Sequence, residues 1–284
     1  MSGVFGAGVV TALQEMDIYN KIEAVHATSA GALNGAYFLA RQSVLGSSIY
    51  YEDLTKDFIK KHNVPFGVAQ RFWNRYINKL PREIIRDAVD IDYLLDVVRT
   101  RKPLDVRALQ SQSIPLYVKL LDVGTGEIEY VDARKSDTMS VLKAGVSVVP
   151  YWFSSHAING KSYIDACVKD PLGLRLLLEH YPDHRIIFSI NIPIFRGIRH
   201  NVKDTLEGLV AQSMFDIPLF KFFREREAKV RDDIRLAMDT KRVLFLHPPT
   251  SNPTMPFTID PQKLLTTYEM GKNKTEKVMA FLKS

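Results

Sequence analysis

The segment that most constrains this chain is an apolar strand candidate over 22–27. It runs without a break into Thr28-Ser29-Ala30-Gly31-Ala32, a cluster of small residues opening a helix over 30–42. A turn this abrupt brings strand and helix into close approach, which only small side chains permit. Upstream, 3–16 reads as a helix with Val4, Val9, Leu13 and Met16 on one side, so the chain begins as helix, strand, helix. Further buried-strand candidates are 116–123, joined through Gly124-Thr125-Gly126 to 128–132, then 185–192 and 242–246. Strands alternating with helices predict an α/β fold with a largely parallel or mixed sheet covered on both faces, and ligands at the carboxyl ends of strands. No repeat, low-complexity run or linker-like stretch divides the sequence, so one domain is expected across 1–284.

Composition removes several classes. With 46% hydrophobic and 25% charged residues the chain can bury a core, which excludes disorder. The single cysteine, Cys167, cannot make an intrachain disulfide, which fits a reducing compartment. Residues 1–14 lack the basic start of a secretory signal, and the uncharged runs 24–40 and 144–160 are too broken by polar residues and Gly or Pro to span a bilayer. A cytoplasmic protein, at most peripheral to a membrane, is expected. No His or Cys spacing suits a metal, so neither metal nor other cofactor is expected.

Ser29 sits where a nucleophile is best presented. A serine on a strand-to-helix turn projects from the backbone, and the helix start offers N–H groups, notably that of Ala30, to a developing oxyanion. The same residue also makes an ordinary N-cap, so on this feature alone both roles stand.

A second region separates them. The run 144–153, Ala-Gly-Val-Ser-Val-Val-Pro-Tyr-Trp-Phe, is followed by 158–167, Ile-Asn-Gly-Lys-Ser-Tyr-Ile-Asp-Ala-Cys. Together with the Ser29 segment this resembles the patatin-like phospholipase family, in which a helix, a small-residue and proline stretch and a hairpin lead to an Asp-Gly-Gly or Asp-Gly-Ala motif. Asp165-Ala166-Cys167 stands in that place. The stretches 242–248 and 258–264 also look similar, so the resemblance covers essentially the whole chain.

The resemblance implies a three-layer α/β/α fold with a central, mostly parallel sheet. It also implies a lipid acyl hydrolase working through a Ser-Asp dyad, with Ser29 the nucleophile and Asp165 its base. Ser2, Gly3, Ala30 and Gly31 would form the oxyanion and substrate-binding set. The family's opening Gly-Gly-Gly-x-Arg-Gly is matched only at its end, where Met1, Ser2 and Gly3 fall on the last three positions, so the natural chain is expected to begin upstream. Ala27 and Ala166 stand where the family has glycine. An aspartate acting as base at neutral pH needs partial desolvation, which predicts an apolar rim drawn from Tyr151, Trp152, Phe153 and Tyr163.

Other readings compete. Ser29, Asp165 and His247 occur in the order of a Ser-Asp-His triad, although His247 at a strand end before two prolines also suits a structural role. The net charge is +6, and most of the surplus falls in 56–107. There, Phe66, Ala69, Trp73, Ile77 and Leu80 repeat at helical spacing beside Arg71, Arg75 and Lys79. Such a helix suits either packing over the sheet or peripheral contact with an anionic membrane, and 215–226 admits the same pair of readings. No nucleic-acid module is visible. The expected partner is a phospholipid or other lipid ester; the alternative is a catalytically impaired lipid-binding or scaffold protein.

Overall fold

The computed structural model describes residues 1–60, 87–194 and 200–283. The proposed basic helix around Trp73 lies outside the described residues. Helix α1 (Val4–Glu15) precedes strand β1 (Val25–Ala27), and α2 (Ala30–Leu39) follows it at once. Next come α3 (Ser43–Ser48), a π-turn over Ile49–Asp53, α4 (Ile91–Thr100) and α5 (Val106–Gln110). Asp90 and Asp105 cap α4 and α5 by accepting the N–H groups of Tyr93 and Ala108.

The sheet is built around β2 (Leu116–Asp122), whose mostly buried residues mark a central strand. The Gly124-Thr125-Gly126 turn returns the chain as β3 (Ile128–Asp132), antiparallel to β2. Helix α6 (Thr138–Gly145) leads to the hairpin of β4 (His156–Ile158) and β5 (Lys161–Asp165). Asn159 and Gly160 both have positive φ at its turn, the conformation that a two-residue hairpin loop requires. Strand β1 pairs parallel to β2, and β5 pairs antiparallel to it. After α7 (Leu174–His180), β6 (Ile186–Ser189) pairs in parallel with β7 (Val243–Leu246) as a separate two-stranded sheet. Helices α8 (His200–Gln212) and α9 (Leu219–Asp239) lie between those strands in sequence, and α10 (Pro261–Asn273) and α11 (Val278–Lys283) end the chain.

The α/β class holds. Its parallel character holds at β1–β2 and β6–β7 and gives way elsewhere: the tight hairpins β2–β3 and β4–β5 can join only antiparallel neighbours, and β5 also runs antiparallel to β2. The sheet is therefore mixed.

One consequence of register positions the candidate site. Strand β3 occupies one edge of β2 along 117–121, so β1 and β5 must share the other edge. Strand β1 pairs against the first half, Ala27 opposite Val118, and β5 against the second half, Asp165 opposite Leu120. Since β5 runs the other way, the two strands meet with their carboxyl ends facing. Val118 and Leu120 are two apart and lie on one face of the sheet, so Ala27 and Asp165 share that face.

Helices α2 and α6 cover this face closely. A Cβ on Gly145 would fall 2.8 Å from Val118 and 3.4 Å from Ala32, and one on Gly35 would fall 2.9 Å from Leu116. The other face carries His26, Tyr117 and Lys119. A large apolar core runs from α1 through β2 to α10 and includes Phe5, Leu39, Leu116, Leu120 and Leu264, all fully buried.

Candidate active site

Ser29 stands between β1 and α2 with φ 56° and ψ −133°, a conformation that L-residues other than glycine rarely adopt. Its carbonyl accepts the Ala32 N–H at 2.8 Å, and the Thr28 carbonyl accepts that of Gly31 at 3.0 Å, so the strained turn is locked into the first turn of α2. The methyl of Ala27, where the family has glycine, fits without crowding: even a Cβ on Gly31, its neighbour on α2, would stand 3.8 Å from it. Ala166 begins a 3₁₀ turn, Ala166–Val168, and needs no left-handed backbone, so alanine is unstrained there too.

Asp165 ends β5 and is fully buried. Its backbone N–H donates to the Ser147 carbonyl at 3.2 Å, tying it to the stretch after α6. Its Oδ1 accepts the Cys167 N–H at 2.8 Å. Burial is the main influence on its titration and pushes its pKa up to about 6, against weaker opposing effects of Cys167, the Ser29 hydroxyl and Lys119. The Ser29 hydroxyl thus lies close enough to favour the ionised carboxylate, while Oδ2 has no partner of full hydrogen-bond geometry. An aspartate kept near pKa 6 with an unfilled acceptor beside a hydroxyl is suited to taking a proton from it.

The apolar surroundings differ in detail from the expected rim. Of the four aromatics, Phe153 packs in the cluster beside Asp165, with Val149, Ala166 and Cys167, and α9 adds Phe222 and Phe223. Trp152 turns into the main core, the Tyr163 hydroxyl donates to Glu129 at 2.7 Å and that of Tyr151 donates to Glu207. Phe222 and Phe223 belong to the second aromatic and basic stretch. Within that stretch Phe222 and Phe223 are buried and the partly buried Arg226 is held by Asp204 and Glu207, whereas Lys221 and Arg224 remain exposed.

Gly3 lies at the start of α1 against the start of α2: a Cβ on it would stand 2.5 Å from both Ala30 Cβ and the Tyr50 hydroxyl. The helix start carrying the Ala30 and Gly31 N–H groups and the Ser2-Gly3 segment are therefore brought together. Of these groups the Gly31 N–H is already given to the Thr28 carbonyl, so from α2 it is the Ala30 N–H that is placed to serve as an oxyanion donor, and the expectation for Gly31 is corrected accordingly.

Lys119 escaped the sequence reading. It is almost fully buried on the far face of β2, and Nζ donates to the Asp170 carbonyl at 2.6 Å and pairs with Asp170 Oδ2 at 3.1 Å. It pins the loop after the Ala166–Val168 turn and adds positive potential near Asp165. A lysine inside the apolar run Leu-Tyr-Val-Lys-Leu-Leu was the available signal. Cys167 is held beside the carboxylate, and burial and Asp165 push its thiol well above the ordinary range, which keeps it protonated.

The candidate triad histidine is engaged elsewhere. His247 Nδ1 pairs with the Pro248 carbonyl at 3.0 Å and its ring lies against Phe245, on the smaller sheet. His26 points to the opposite face, where Nε2 pairs with the Tyr181 hydroxyl at 3.0 Å and its ring meets Tyr117; burial lowers its pKa to about 4. Among the described residues no three His, Cys, Asp or Glu side chains converge as metal ligands, and no helix is long and apolar enough to cross a membrane.

The family model described as patatin-like phospholipase matches residues 1–178, a span that contains both β1 and β5. No curated protein matches the chain.

Proposed function

Because the chain belongs to the patatin-like phospholipase family, whose activity is lipid acyl hydrolysis, we propose that it cleaves phospholipid or other lipid esters through an acyl-enzyme at Ser29 with Asp165 as the base. Asp165 takes the proton of the Ser29 hydroxyl as Oγ bonds to the acyl carbonyl carbon. The carbonyl electrons move onto oxygen, where the N–H groups of Ala30 and of the Ser2-Gly3 segment stabilise the charge. Collapse breaks the ester C–O bond, and the leaving alcohol takes the proton from Asp165. Water, deprotonated by the same carboxylate, then attacks the acyl-enzyme, releasing the fatty acid and restoring Ser29.

The observation that carries this reading is a strained, half-buried Ser29 whose hydroxyl bears on a fully buried Asp165 with its pKa pushed up to about 6. Strain at a single non-glycine residue costs about 1–3 kcal/mol and persists where the surrounding structure imposes it, often at working sites. The ordinary backbone of Ala27 and Ala166 weakens the case for a catalytically impaired scaffold. The test is hydrolysis of a short p-nitrophenyl ester and of phosphatidylcholine vesicles. The wild type should release product and Ser29→Ala should not; equal rates in the two would refute the assignment.

A further inference from the structure

We infer that Asn34 and Tyr50 are positioning residues that hold Gly3 in place against the nucleophile helix, an inference that rests on the hydrolase reading above. Asn34 lies on α2, on the turn after the one that opens at Ser29, and is buried. Its Nδ2 donates to the Gly3 carbonyl at 2.9 Å, and its Oδ1 accepts the Tyr50 hydroxyl at 3.0 Å. The two bonds form a short relay from the Ile49–Asp53 π-turn to the first residues of α1.

The Gly3 carbonyl already has a partner, since it accepts the Ala7 N–H at 3.0 Å within α1. Burying a second donor on a satisfied carbonyl adds little to satisfaction and much to orientation. The anchor is also the right one. The helix that presents the Ala30 N–H supplies the amide that holds Gly3, so both sides of the oxyanion site are referenced to one rigid element. Tyr50 limits movement from the other direction, for its hydroxyl would meet even a methyl on Gly3 at 2.5 Å. A third tie, Gly6 N–H to Asn191 Oδ1 at 2.9 Å, fixes the following turn of α1. Neither Asn34 nor Tyr50 touches the Asp165 carboxylate in the contacts that set its titration, so the relay and the base are separable.

The experiment compares wild type, Asn34→Ala and Tyr50→Phe on the same p-nitrophenyl ester across pH, with thermal unfolding measured alongside. A donor displaced by about 1 Å costs about 10²-fold, so kcat should fall by about that factor in Asn34→Ala and by less in Tyr50→Phe, which retains the ring. KM and the pH at which activity rises should not move, because Asp165 is unaltered. Should Asn34→Ala fail to fold, Tyr50→Phe decides alone. Unchanged kcat in a folded variant, or a loss confined to KM, overturns the relay while leaving the hydrolase reading intact. A wild type without Ser29-dependent hydrolysis overturns both.

Discussion

At the residue scale the account rests on a carboxylate placed against its own preference. Burial raises the folded pKa of Asp165 to about 6 from an ordinary 3.8, so between these pH values the native state binds a proton that the unfolded chain has released. Stability contributed by this residue is thus present at low pH and lost as pH rises through about 6. Asp165→Asn removes that penalty while its amide oxygen can still accept the Cys167 N–H. The variant should be inactive yet more stable than wild type at pH 7.5, by on the order of 2–3 kcal/mol, with the gain vanishing near pH 4. Urea unfolding at the two pH values checks this; a variant less stable than wild type at pH 7.5 would contradict the buried-charge argument. Ser29 was legible as a presented serine because small residues followed an apolar strand. Asp165 was legible only through its place in a familiar order, since one aspartate after a strand looks like any turn residue. Lys119, Asn34 and Tyr50 gave weaker signals, for their roles depend on contacts made across elements.

At the scale of elements, glycine decides how closely helices approach. Helices α1 and α10 meet backbone to backbone: a Cβ on Gly8 would stand 2.0 Å from the Tyr268 carbonyl oxygen, and one on Gly271 would stand 2.1 Å from that of Phe5. Helix α10 lies beyond the 1–178 family match and yet packs on the helix that carries Gly3. Gly271→Ala should therefore destabilise the protein by about 1–3 kcal/mol, as overpacking does, and lower activity through displacement of α1. Thermal unfolding with an ester assay tests this, and an unchanged midpoint would mean that the two helices part easily. The elements themselves were largely legible from periodicity and turns: 116–123 and 128–132 return as β2 and β3 with at most one residue's change. The strand expected over 22–27 shortens to Val25–Ala27, because its first half turns away before pairing with β2 begins at Leu116.

At the scale of the whole molecule, the site follows from two strands sharing one edge of β2 with their carboxyl ends facing. Pairing register sets Ala27 and Asp165 on one face of the sheet, and the turn after Ala27 brings the Ser29 hydroxyl to the Asp165 carboxylate, 136 positions away in the sequence. Hydrophobic pattern specifies which residues face inward but not which strands meet end to end, which is why this juxtaposition was invisible before the fold. The most direct measurement is fluorophosphonate labelling followed by peptide mapping, run from pH 4.5 to 8.5 on wild type, Asp165→Asn and His247→Ala. The account predicts labelling at Ser29 that rises through about pH 6, persists in His247→Ala and is lost in Asp165→Asn. Labelling of Ser29 that survives in folded Asp165→Asn but disappears in folded His247→Ala would contradict it.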